Sequence, residues 1–119
     1  MDYIYKINVT RVVDGDTIDA DIDLGFNITF KKRIRLHGIN TPETRTRDLE
    51  EKKRGIAAKQ RLQQIVDEQN GILYLKSMDQ GKFGRCIGVL FDKNFDDESI
   101  NDILVEEGHA VEYFGGKRD

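Results

Sequence analysis

Asp14-Gly15-Asp16-Thr17-Ile18-Asp19-Ala20-Asp21-Ile22-Asp23-Leu24 reads as a turn running into a strand. Asp14-Gly15 predicts the turn of a hairpin, because both residue types tolerate positive φ. From Ile18 to Leu24 apolar side chains alternate with Asp19, Asp21 and Asp23. The two-residue period of a strand puts the three aspartates on one face and the apolar set on the other. The result is a half-buried strand with a wet side. Ile4 to Val13 has the β-branched content of its partner. Gly25-Phe26-Asn27 predicts the next turn. Ile28, Phe30, Ile34 and Leu36 predict a third strand, which also carries Lys31, Lys32, Arg33 and Arg35.

Further along, Asn40-Thr41-Pro42 interrupts the pattern. A residue before proline is pushed to extended backbone, so Thr41 belongs to a turn. Residues 43–54 are too charged to have a buried face and are expected to form a mobile loop. Ala58, Leu62, Ile65 and Val66 then fall at helical spacing, with Asn70-Gly71 as the stop. Ile72 to Lys76 predicts a fourth strand, Asp79 to Gly84 a polar loop, and Arg85 to Phe91 a fifth strand. Ser99, with Asp102 three residues on, opens a short helix through Ile100, Ile103, Leu104 and Val105, ended by Gly108. The tail from Gly115 is expected to fray. Five strands with a helix between the third and fourth, and a short helix after the fifth, match a β-rich α+β fold, the five-stranded OB-fold barrel.

At 119 residues the chain is expected to be a single domain, residues 1–119. Its lone Cys86 cannot form an internal disulfide and reads as a small buried filler. The acidic start Met1-Asp2 lacks the cationic and apolar regions of a signal peptide, and no apolar run approaches a membrane span. The expectation is an intracellular monomer that needs no membrane. Net charge is −3 overall, yet residues 31–61 carry +7. A basic segment attracts a polyanion locally even on an acidic protein.

That segment holds Arg35 and Glu43. With Asp16 before it and Arg85 after it, it supplies oxygen donors for a hard cation, a carboxylate that can take a proton, and two guanidiniums that can grip a phosphate. These are the parts of a metal-assisted phosphodiester hydrolase. His37 and His109 lack zinc-type spacing and cysteine companions, and read as structural or surface residues. Asp19, Asp21 and Asp23 read as solubilising side chains, with Asp19 the best placed of the three to assist near an ion.

Val12-Val13-Asp14-Gly15-Asp16-Thr17, Arg33-Ile34-Arg35-Leu36 and Ile39-Asn40-Thr41-Pro42-Glu43 together resemble the staphylococcal (thermo)nuclease family. Lys82-Phe83-Gly84-Arg85 and Leu104-Val105-Glu106-Glu107-Gly108-His109-Ala110 extend the resemblance, which runs from about Val9 to Tyr113. The chain looks like a short version of that family. The resemblance implies an OB-fold nuclease dependent on Ca2+, cleaving DNA and RNA to 3′-phosphate and 5′-hydroxyl ends. It implies metal ligation by Asp16, by Asn40 and by the backbone carbonyl of Thr41. It implies water activation by Glu43 and phosphate binding by Arg35 and Arg85. Lys82, Phe83 and Tyr113 become candidate substrate contacts.

Two departures bear on that implication. Asn40 stands where the family most often has aspartate, which removes one negative charge and predicts either weaker calcium binding or support from a neighbour such as Asp14. Phe83 stands where tyrosine is common, leaving ring stacking but no phenolic contact. The alternative is a catalytically weak or inactive OB-fold module that binds nucleic acid or protein. A third reading is an acidic calcium-binding domain whose arginines only form surface ion pairs. Lys31, Lys32, Arg45, Arg47, Lys52 and Lys53 are expected to steer a polyanion.

Overall fold

The computed structural model describes residues 3–78, 86–93 and 98–113. In chain order the elements are β1 (Tyr3–Asp14), β2 (Thr17–Asp23), β3 (Thr29–Leu36), β4 (Ile39–Asn40), α1 (Leu49–Glu68), β5 (Ile72–Ser77), β6 (Cys86–Phe91), α2 (Ile100–Glu106) and β7 (Val111–Glu112). Five strands close into a barrel in the order β1-β2-β3-β6-β5, while β4 and β7 form a separate two-stranded ribbon. All barrel pairs are antiparallel except β3 with β6, which run parallel. This is the expected OB-fold α+β architecture, with α1 between the third and fourth barrel strands and α2 after the fifth.

The alternation of β2 decides which side chains face inward. Ile18, Ala20 and Ile22 are buried, while Asp19 and Asp21 stay half-exposed and Asp23 exposed. Ile7, Ile34, Leu36, Leu73 and Leu90 complete the barrel interior, and Leu62 of α1 packs into the same cluster. Truncating such a fully buried leucine to alanine costs about 2–5 kcal/mol, from the forfeited transfer energy plus the cavity left behind. Cys86 packs against this core but is only half-buried, less enclosed than the filler expected.

Two expectations need correction. The hairpin turn is Gly15-Asp16, not Asp14-Gly15, since Asp14 still pairs with Thr17. Gly15 also lacks a positive φ. It is required for space instead: a Cβ there would lie 2.8 Å from Ala58 Cβ and 2.9 Å from Thr41 Cγ2. The mobile loop expected over residues 43–54 is instead helical from Leu49 onward. Asp48 caps that helix, its carboxylate accepting from the backbone N–H groups of Glu50 and Glu51 at 3.0 and 3.3 Å. Glu50 and Glu51 in the first turn also suit the positive end of the helix dipole. Burial starts only at Gly55, so the first turn and a half carry no apolar signal. The expected loop over Asp79–Gly84 and the frayed tail lie outside the described residues.

Candidate active site

Three chain segments meet at one end of the barrel. The first is the β1–β2 hairpin, which carries Asp14 and Asp16. Its ladder shifts register between Val12 and Asp14, and a bulge of this kind re-aims the side chains at a strand end. The second is the end of β3, which carries Arg35. Thr17 sits opposite Arg35 across the ladder, so the two strands hold Asp16 and Arg35 side by side. The third is the irregular stretch from Asn40 to Glu43. Its start is anchored by the ribbon, where Ile39 pairs with Glu112 and Asn40 with Val111. Asn101 of α2 stabilises the same end, donating to the His37 carbonyl at 2.8 Å and accepting from the Leu90 N–H at 3.1 Å.

Side chains converge there. Arg35 Nη1 lies 3.0 Å from Asp16 Oδ2. Arg35 Nη2 donates to the Ile39 carbonyl at 3.1 Å and to Asn40 Oδ1. Asp16 Oδ2 also accepts from the Thr41 N–H at 3.2 Å, and Asp16 Oδ1 accepts from Thr17 Oγ1 at 3.0 Å. Asp16, Asn40 and Thr41 are buried, whereas Glu43 is exposed at the rim. Together with Asp14 and Thr17 these residues line a cavity of about 230 Å3. Thr44 Oγ1 donates to Asp14 Oδ1 at 2.6 Å, tying the stretch after Glu43 back to the hairpin.

The residues expected to act together therefore lie around one space: Asp16, Arg35, Asn40, Thr41 and Glu43. Tyr113 stands apart from them. It is half-buried in a neighbouring cavity of about 520 Å3, between α1 and residues 107–113, which shares only the wall made by Asn40, Thr41 and Pro42. Lys82, Phe83 and Arg85 lie outside the described residues. Asp19 is not among the residues that line this cavity, and both its oxygens are engaged by Arg33, at 2.8 and 3.2 Å. Those hydrogen bonds hold the Asp19 carboxyl below its usual range. Asp14 and Glu43 are the carboxylates that share the cavity with Asp16.

Among the described residues, no three His, Cys, Asp or Glu side chains form a cluster ready for a metal ion. The donors around Asp16 are mixed: carboxylates from Asp14 and Asp16 and an amide oxygen from Asn40. Such hard oxygen donors suit Ca2+, which accepts carboxylates, amide carbonyls and water in a tolerant geometry. The donor type fits the cation, while the Arg35 guanidinium, which sits between the Asp16 and Asn40 oxygens, offsets part of the negative charge there.

Two further residues shape the site, Thr44 through its bond to Asp14 and Gly55 through the turn. Gly55 lies inside α1, against the backbone of Pro42 and Glu43. A glycine within a helical run is a signal legible in sequence, since it usually has a packing or functional reason. The Asp14–Thr44 hydrogen bond has no such signature.

No curated protein matches this chain. The model of the family described as staphylococcal nuclease homologue matches residues 33–119, which takes in the second half of β3, the Asn40–Glu43 stretch and both helices. With well over half its length matched and the barrel in the order that the resemblance implies, the chain belongs to the staphylococcal nuclease homologue family.

Proposed function

We propose that this protein is a calcium-dependent nuclease that hydrolyses phosphodiester bonds of DNA, RNA or both, leaving 3′-phosphate and 5′-hydroxyl ends. The observation that carries the reading is the gathering of Asp16, Arg35, Asn40, Thr41 and Glu43 around one small polar cavity. Asp16, Asn40 and the Thr41 carbonyl, with Asp14 beside them, would hold Ca2+. When bound, the cation supplies positive charge against the phosphate oxygens.

The chain's own residues do the rest. Arg35, with Arg85, grips the phosphate, and a planar guanidinium suits two of its oxygens at once. Negative charge grows on those oxygens as the attacking water bonds to phosphorus, so fixed guanidiniums stabilise the transition state more than the substrate. Glu43 at the rim takes the proton from that water. The bond from phosphorus to the 5′ oxygen breaks, and the departing oxygen picks up a proton. Lys82, Phe83 and Tyr113 contact the flanking nucleotides, and the protein acts as a monomer.

A second reading, a module that binds nucleic acid or a protein without cutting, is favoured by one observation. Asn40 brings no negative charge, and Arg35 engages both its amide oxygen and the Asp16 carboxylate. One experiment separates the two. Single-stranded DNA and RNA are incubated with the protein in calcium, in magnesium or in chelator, and the ends are identified. Calcium-dependent products with 3′-phosphates support the nuclease. Retention of intact nucleic acid in calcium overturns it in favour of the binding module.

A further inference from the structure

We propose that Gly55 is a positioning residue for Glu43, acting from the far side of the turn and paired with the Thr44–Asp14 hydrogen bond on the near side. This rests on the nuclease reading above.

Glu43 sits in irregular backbone, so no ladder or helix sets the direction of its carboxylate. The course of the backbone that carries it is set by what that backbone touches. Thr41 is held through its N–H on Asp16, at 3.2 Å. Thr44 is held through its hydroxyl on Asp14, at 2.6 Å. Between them, the carbonyls of Pro42 and Glu43 rest on α1. A Cβ at position 55 would lie 2.6 Å from the Glu43 oxygen, 2.7 Å from the Pro42 oxygen and 2.8 Å from the Glu43 carbonyl carbon.

All three contacts are with backbone atoms, which cannot rotate away as a side chain end can. An alanine at 55 must therefore move the turn away from α1 or push the helix back by several tenths of an ångström. Glycine is also the poorest ordinary residue for a helix interior, and α1 continues for more than three turns past it. Helix propensity opposes glycine at this position, while the approach to Glu43 requires it. Gly15 makes a comparable contact from the hairpin side, but against Ala58 Cβ, Thr41 Cγ2 and the Ala58 carbonyl carbon. Gly55 alone of the two touches the backbone that carries the carboxylate.

A displacement of the general base is costly because catalysis depends on near-attack geometry, where about 1 Å of misplacement lowers the rate roughly 100-fold. Substrate affinity should change little, since Gly55 and Thr44 are not among the phosphate-binding groups. The effect belongs in kcat and not in KM.

The test uses the full chain with calcium and a single-stranded DNA substrate. Four proteins are compared: wild type, Gly55→Ala, Thr44→Val and Thr44→Ser. Urea unfolding is run in parallel to confirm that each is folded. The expected result for Gly55→Ala and Thr44→Val is a kcat lower by about 10- to 100-fold with KM within about threefold of wild type. Thr44→Ser keeps the hydroxyl and should restore wild-type kcat. A folded Gly55→Ala variant with wild-type kcat overturns the proposal, as does equal loss in Thr44→Val and Thr44→Ser. If Gly55→Ala fails to fold, the threonine pair decides. A wild-type protein that cuts neither DNA nor RNA overturns the nuclease reading itself, and the positioning role falls with it.

Discussion

Arg35 Nη1 lies 3.0 Å from Asp16 Oδ2, and the same guanidinium donates to Asn40 Oδ1. The side chain proposed to grip phosphate is thus bonded to two residues proposed to hold a cation. Each satisfies the other's charge or hydrogen-bonding need in a partly buried setting, with Asp16 the more enclosed partner of the ion pair. Removing any one of the three leaves the others short of a partner, so stability and turnover should respond together.

Arg35→Lys tests that coupling. Lysine keeps the charge but loses the planar fork that reaches Asp16, Asn40 and Ile39 together. Turnover should fall at least about 100-fold, in line with loss of a transition-state donor. The fold should lose about 1.5–3 kcal/mol, as expected for hydrogen bonds to a charged group. Steady-state kinetics and urea unfolding in chelator measure both.

Asn40→Asp adds a second carboxylate beside Asp16. Calcium affinity should rise, by about tenfold, because ligand charge tunes affinity in oxygen-donor sites. In chelator the variant should be less stable than wild type, since one guanidinium then faces two carboxylates. Calorimetric titration with calcium measures the first effect. Equal affinity in the two proteins would show that Asn40 is not near the ion.

How far the sequence carried the fold depends on the periodicity of each segment. Ile18, Ala20 and Ile22 alternate with aspartates, and Ala58, Leu62, Ile65 and Val66 recur at helical spacing, so the barrel and α1 were legible. The first turn of α1 was not, because Leu49 to Arg54 buries nothing and is set by the Asp48 cap. The pairing of Ile39–Asn40 with Val111–Glu112 was also hidden, since two residues are too short to have a period. At the site, the candidate residues Asp16, Arg35, Asn40 and Glu43 are legible in the sequence. Their mutual bonds did not follow, because Asp16, Arg35 and Asn40 meet only once the hairpin, β3 and the ribbon have folded. Gly15 was read as a turn former, whereas its close approach to Ala58 and Thr41 is what requires glycine.

Lys31, Arg45, Arg47, Lys52 and Lys53 are exposed around the basic segment, and Lys32 lies over the Phe30 ring at 5.6 Å. Binding of single-stranded nucleic acid should weaken as salt rises. Replacing Arg45 and Arg47 by alanine should flatten the log–log salt dependence by roughly 0.7 for each phosphate the variant no longer neutralises. Fluorescence anisotropy with a labelled oligonucleotide in chelator reads this without cleavage. An unchanged slope removes both arginines from the footprint.

Glu98 governs a separate pH effect. Its hydrogen bond with Glu106 needs a proton between the two carboxylates and, with the nearby charges of Asp102 and Glu107, pushes Glu98 up to about 7. The folded state then holds this proton more tightly than the unfolded chain does. The hydrogen bond's contribution to stability is fully present below the ordinary glutamate range and is lost as pH rises through about 7. Wild type should thus lose stability between pH 5 and pH 8 relative to Glu98→Gln, whose amide donates without titrating. Thermal unfolding at the two pH values compares them, and parallel profiles would refute the assignment.

Glu43 offers the most direct test. It is exposed at the cavity rim, so Glu43→Gln should fold as wild type does and bind single-stranded DNA with similar affinity. Its calcium-supported kcat should fall by about 100- to 10,000-fold, the range for loss of a general base. Wild-type cleavage by Glu43→Gln would contradict the proposed mechanism, because the carboxylate around which the site is read would then have no part in breaking the bond.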